Sequence, residues 1–358
     1  MRQLLAVAAL LVTAQASAAI PSAERDALLA VYQSTNGPSW TNRDGWGGAP
    51  GSECDWHGVT CDETNSNVIY LELYDNNLSG TLPAAIGNLT KLRSLQIWNS
   101  DLHGPLPAEL GQLSELQSLY ASSNHLSGTI PAQLGNLKKL EYLYLDGNEL
   151  VGPLPSELGN LPALIELGLS YNRIDGELPP QLANLTNLTL LELSVNRLTG
   201  EIPAGLGQLQ KLERFGVVDN QLTGDIPPQL GNATALQSLR LGYNQLTGTI
   251  PATFAQLTNL QYLDLLNNRL TGSIPELSPT LIHLDMTSND LSGPLPTTLW
   301  TLTNLEELYL GDNAFTGEVP SQVADLTKLQ VLSLYQNQLT GATPPAITTL
   351  SALRSLEL

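Results

Sequence analysis

Leucine recurs at fixed spacing through most of this 358-residue chain. The stretch Leu140-Glu-Tyr-Leu-Tyr-Leu-Asp-Gly-Asn-Glu-Leu-Val-Gly152 shows the unit, LxxLxLxxNxLxG. An asparagine marks the register at Asn76, Asn124, Asn148, Asn172, Asn196, Asn220, Asn244, Asn268, Asn289, Asn313 and Asn337, and Ser100 fills the one gap. The step is 24 residues everywhere except between Asn268 and Asn289, where it is 21. A fixed period with fixed apolar positions predicts a solenoid, because stacked turns can bury a continuous leucine strip that no single turn could bury alone.

Within a turn, Leu143 and Leu145 alternate with Tyr142, Tyr144 and Asp146. That period of two predicts a short strand with leucines inward and the other three outward. The asparagine that follows can donate and accept, so stacked asparagines should form a ladder onto the backbone of their own and the adjacent turn. A missing partner there would cost roughly 1–3 kcal/mol. Leu150-Val-Gly-Pro-Leu-Pro155 reads as a second extended piece, with Pro155 opening a short helical turn and Gly159 ending it. The expected fold is an α/β solenoid with a concave parallel β-sheet and short helical or 3-10 turns on the convex side. Twelve register positions predict twelve turns over residues 68–358, with Leu356-Glu-Leu358 starting a truncated thirteenth that carries no cap. Parallel strands about 4.8 Å apart make the inner face roughly 55–60 Å long. Ser100 should be a weak rung, and the 21-residue turn loses three residues between Pro275 and Leu284, on the convex side.

The two ends break the pattern. Residues 1–18 read as a secretory signal: Arg2, an apolar run from Leu4 to Ala14, and an A-x-A site at Ala16-Ser17-Ala18, with Ala14-Gln15-Ala16 also fitting. The run is too short to span a bilayer, so a secreted, cell-surface or periplasmic location without membrane insertion is expected. Residues 19–67 read as an N-terminal cap. A helical pattern puts Ala27, Leu28, Val31 and Tyr32 on one face, and Trp40, Trp46 and Trp56 should cover the open end of the first turn, with a carbohydrate platform as the other reading. Cys54 and Cys61, the only cysteines, should form a disulfide in an exported chain. His57 between them raises a metal site, but zinc usually takes four ligands and no further Cys or His lies nearby in sequence; no metal or cofactor is expected.

The Cys54-Asp-Trp-His-Gly-Val-Thr-Cys61 cap followed by L-x-G-x-I/L-P repeats resembles the plant-type leucine-rich repeat family. That family includes receptor-like kinase and receptor-like protein ectodomains and polygalacturonase-inhibiting proteins. The resemblance runs from about residue 23 onward. It implies a right-handed superhelix with a second, short-stranded sheet beside the concave one, and recognition of peptides, proteins or glycans outside the cell. It also has departures: no kinase domain, no C-terminal cysteine pair, and an Ala-rich leader that looks bacterial, so a microbial member is expected.

Charge and side-chain chemistry narrow the function. Fifteen basic residues stand against 34 acidic ones, a formal charge of −19, which repels nucleic acid and anionic membranes and suits neutral or basic partners. His57, His103, His125 and His283 are widely spread and no catalytic constellation accompanies them, so a non-catalytic protein is expected. Tyr70, Tyr74, Trp98, Tyr120, Tyr142 and Tyr144 crowd the outward positions of the first four turns and form the candidate ligand site. Tyr171, Tyr243, Tyr262, Tyr309 and Tyr335 occupy outward positions further along. Arg173, Arg197, Arg214, Arg240 and Arg269 beside Glu166, Glu192 and Asp264 should form exposed ion pairs. Arg214 and Arg240 are secondary candidates, only loosely similar to the Arg-x-Arg pair with which receptors of this family often hold a ligand carboxylate. The expected function is recognition of a protein or peptide on the concave face, inhibition of a foreign enzyme included. Carbohydrate binding or adhesion is the alternative, and irregular outward residues argue against ice binding.

Overall fold

In the computed structural model, which describes residues 19–358, every turn places a short strand in one 14-stranded sheet. The signal expected over residues 1–18 lies outside the described residues. Val59–Cys61 of the cap pairs antiparallel with Val68–Glu72. From there the pairs run parallel and in step, so that Leu143 faces Leu119 on one side and Leu167 on the other. Leu143 and Leu145 are fully buried, and their counterparts in the neighbouring turns extend one continuous apolar strip. The chain is a leucine-rich α/β solenoid, with the outward residues of the strands forming its concave face.

The asparagine ladder closes each turn against the one before. Asn148 donates through Nδ2 to the carbonyls of Leu145 at 2.9 Å and Ala121 at 3.0 Å, and its Oδ1 accepts the Leu126 N–H at 3.0 Å. Asn124, Asn172, Asn196, Asn220, Asn244, Asn268, Asn289, Asn313 and Asn337 donate in the same pattern. Asn76 binds the cap instead, giving to Asn42 O at 2.8 Å and accepting from Asn42 N at 2.6 Å. Ser100 breaks the ladder, as its length predicts: its enclosed Oγ has no partner. The residue before most rungs takes left-handed backbone, including Tyr171 at φ 56° and Tyr243 at φ 52°. These two tyrosines therefore sit on the turn rather than on the strand, which leaves them 65% and 47% exposed.

The convex side corrects two details. Pro155 stands immediately before the 3-10 turn Ser156–Asn160 rather than within it. Gly159 lies inside that turn and does not end it; a Cβ there would sit 2.4 Å from the Gln181 carbonyl oxygen. Glycine is needed because successive turns approach closely. Between Ala252–Gln256 and Thr297–Thr301 the structure has no helical turn, so the three missing residues have removed it. The second sheet is also not continuous. Six strands run from Ser79–Gly80 to Arg197–Thr199 and four from Thr271–Gly272 to Gln338–Thr340, with isolated bridges at Asp225–Thr247 and Thr249–Thr271 between them.

The cap covers the start of the strip. Ala27, Leu28 and Val31 of the helix Ser22–Ser34 are fully buried. Trp40, Trp46 and Trp56 are also buried, with ring centroids 4.9 Å and 5.0 Å apart in sequence. Their indole nitrogens donate to Thr35 O, His57 O and Ser52 Oγ. Rings so enclosed cannot serve as a carbohydrate platform. Cys54 and Cys61 are joined, with Cα atoms 5.5 Å apart, which decides between the disulfide and the metal reading. Buried Glu24 accepts the Val68 N–H at 2.7 Å and links helix to first strand.

Candidate functional site

The crowding of aromatics resolves into two stacks on the concave face. Tyr74 and Trp98 lie parallel with centroids 4.7 Å apart and planes 2° off. Tyr120 stacks on Tyr144 at 5.5 Å and 15°, and on Tyr142 at 6.4 Å and 19°. Strand alternation aims Tyr120, Tyr142 and Tyr144 outward, and the parallel register sets them on adjacent strands; Tyr74 and Trp98 each stand two residues past the end of the paired strands Val68–Glu72 and Ser94–Gln96. Tyr70 joins neither stack; its strand neighbours are Thr60 and Ser94. An open cleft of about 320 Å³ lies between the stacks, lined by Trp98, Tyr120, Ser122, Tyr144 and Glu166.

Glu166 and Ser122 are part of this cleft, and sequence reasoning did not place them there. The Tyr144 hydroxyl donates to Glu166 Oε2, a contact between turns that sequence distance hides. Burial, then the Glu166 carboxylate, pushes the Tyr144 hydroxyl far above its usual range, so it remains a donor. The ring of Tyr144 lies over Gly168, where a Cβ would come within 2.5 Å of it. Asp146 is half-buried beside Ser122, accepts the Ser170 N–H at 2.8 Å, and has its carboxyl pushed up, chiefly by burial.

The middle turns hold a second cleft of about 360 Å³, with Glu192, Arg214, Gln237, Ser238, Arg240, Gln261 and Tyr262 around it. Arg240 pairs with Glu192 at 3.1 Å across the intervening strand, whose Gly216 has no side chain to block the path. Arg173 pairs with Glu149 at 2.9 Å. The other expected ion pairs do not form: Glu166 takes the Tyr144 hydroxyl, and Asp264 accepts the Leu266 N–H at 3.0 Å. Arg214 and Arg240 line one cleft but are not a free pair, since Glu192 holds the second. Among the described residues no group of three or more His, Cys, Asp or Glu side chains could hold a metal ion, and no helix is long and apolar enough to cross a membrane.

Comparison with known proteins places this geometry. Residues 21–62 match the leucine-rich repeat N-terminal domain, residues 132–248 a leucine-rich repeat region, and residues 90–150 a leucine-rich repeat. The structure is similar to the ectodomain of the Arabidopsis receptor kinase HAESA in complex with an N-terminally extended IDA peptide hormone. That match has 33% identity and a TM-score of 0.75, over 88% of this chain and 54% of that one. A leucine-rich repeat protein of Leptospira interrogans is 34% identical with a TM-score of 0.66, over 79% of this chain and 70% of that one. A plant ice-binding protein is 28% identical with a TM-score of 0.68, over 90% and 96%. The chain spans about half the length of the plant receptor ectodomains it matches, 48% for one and 54% for another. The plant receptor ectodomains among these neighbours give no support to the expected microbial source or to a glycan ligand.

Proposed function

We propose that this chain, which belongs to the leucine-rich repeat family with the plant-type N-terminal domain, is a non-catalytic recognition protein that works outside the cell. Its concave face binds a protein or extended peptide. The observation that carries this reading is the pair of aromatic stacks, Tyr74–Trp98 and Tyr120 with Tyr142 and Tyr144, standing on an outward face. Apolar rings with polar tips, held in fixed geometry by stacking, give large contact area at low ordering cost. Ectodomains of the same fold that are solved with peptide hormones lend the reading support. The Cys54–Cys61 disulfide fits an oxidising, extracellular setting.

The test is a triple variant, Tyr74→Ala, Trp98→Ala and Tyr144→Ala, assayed against a partner captured by the unaltered chain. Truncating a hot-spot aromatic typically costs about 2 kcal/mol or more, roughly thirtyfold in affinity for each. The expected result is loss of capture with an unchanged far-ultraviolet circular dichroism spectrum. Unchanged affinity would move the site away from these rings.

A further inference from the structure

The cleft between the stacks has a charge as well as a shape. In the first five turns the outward positions carry Glu72, Asp75, Asp146 and Glu166 and no lysine or arginine. None of the four carboxylates belongs to an ion pair among the described residues. The first outward cation is Arg214, in the seventh turn. Glu166 receives the Tyr144 hydroxyl on Oε2, while a carboxylate offers about four acceptor positions. Trp98, Tyr120 and Tyr144 surround the same space, and the faces of aromatic rings are negative. Rings and carboxylate together form an uncompensated negative pocket on a chain of net charge −19.

We propose that this cleft receives a lysine or arginine side chain of a basic, extended peptide. The assignment rests on concave-face recognition and adds the ligand's chemistry to it. The cation lies against the ring faces, as such groups do within about 6 Å of a ring centroid. Its N–H groups donate to the free oxygen of Glu166, a charge-assisted bond. A peptide lying across the strands would place further basic residues near Asp146 on one side and near Asp75 and Glu72 on the other. The field of the whole chain would speed its approach in a salt-dependent way.

The experiment uses the tryptophan already in place. Trp40, Trp46, Trp56 and Trp300 are each 9% exposed or less, so Trp98 is the indole that a ligand can reach. The probes are a short peptide alternating glycine with arginine, blocked at both ends, its glutamine and glutamate counterparts, and the neutral oligosaccharide cellohexaose. The arginine peptide should change Trp98 emission saturably, bind more weakly as salt rises, and bind about tenfold more weakly to Glu166→Gln. Glutamine keeps an oxygen for the Tyr144 hydroxyl and replaces the other, with its charge, by an NH2 group that cannot accept from a cation. Equal binding of the arginine and glutamine peptides, or arginine binding indifferent to Glu166→Gln, overturns the cationic ligand while leaving concave-face recognition standing. Emission changed by cellohexaose alone would assign the rings to sugar stacking and also overturn it. If no probe moves Trp98, the cationic assignment fails, and recognition by this face is then decided by the triple alanine variant.

Discussion

Restoring the missing rung tests whether the asparagine ladder stabilises the solenoid turn by turn. Ser100→Asn keeps the backbone and supplies the amide that the other register positions have. In an intact rung such as Asn148, one amide makes three bonds of 2.9–3.0 Å to backbone groups of two turns. Two signs of the vacancy are visible. The Ile97 carbonyl accepts from Asn124 alone, whereas that of Ala121 accepts from both Asn124 and Asn148. The N–H of Leu78, counterpart of the amides that donate to the other rungs, finds no acceptor in the unpartnered Ser100 Oγ. A polar depression of about 310 Å³, bordered by Thr41, Asp75, Asn77, Asn99, Ser100 and Asp101, leaves room for the larger side chain. Two new neutral bonds at about 0.5–1.5 kcal/mol each, less about 1 kcal/mol for ordering the amide, give a net gain of about 1 kcal/mol. Solenoid stability is a sum of near-neighbour terms, so the gain should be local. Amide hydrogen exchange of Leu78 and its neighbours in the first two turns should slow about fivefold, while turns beyond Asn196 stay unchanged. Unaltered or faster exchange at Leu78 would refute the view that the ladder carries this stability.

Two further substitutions probe other parts of the reasoning. Gly159→Ala puts a Cβ 2.4 Å from a backbone oxygen of the next turn, so the two turns must separate; we expect a loss of about 1–3 kcal/mol in a urea titration, and a neutral result would mean the convex turns are not closely packed. Asp146→Asn concerns charge. Burial raises the folded carboxyl above its unfolded value of about 3.9, so the ionised form costs stability at neutral pH, and the cost disappears as pH falls below that value. The variant should melt higher than the parent at pH 7, and the gap should close as pH falls below about 3.9; a difference that persists in stronger acid would mean the effect is packing rather than charge.

The repeat made most of the fold legible before any coordinates. Leu143 and Leu145 at a spacing of two, with Asn148 three residues on, recur with a period that requires stacking, and the strip, the strands and the ladder follow from that. The three-residue deletion was located on the convex side by the register on either side of it, and the structure added that a helical turn is lost there. The strand tyrosines Tyr70, Tyr120, Tyr142 and Tyr144 were equally legible, since alternation assigns them a face, whereas Tyr171 and Tyr243 owe their exposure to the left-handed residue of the turn. The Ser100 gap was visible as a letter out of place, and the structure only added that its hydroxyl goes unpaired.

What needed tertiary structure is whatever depends on side chains from different turns. The step between strands is 24 residues along the chain but one strand spacing in space, and rotamers decide which neighbour a side chain meets. Glu166 could have taken an arginine; it took the Tyr144 hydroxyl because the ring lies over Gly168. Arg240 reaches past its neighbouring strand to Glu192 only because Gly216 leaves the way open. Gly159 looked like a helix terminator in sequence and proved to be a contact point between turns. Period and polarity are properties of one turn and can be read from it. Stacks, clefts and charge partners arise between turns, where the size and rotamer of facing side chains settle the outcome.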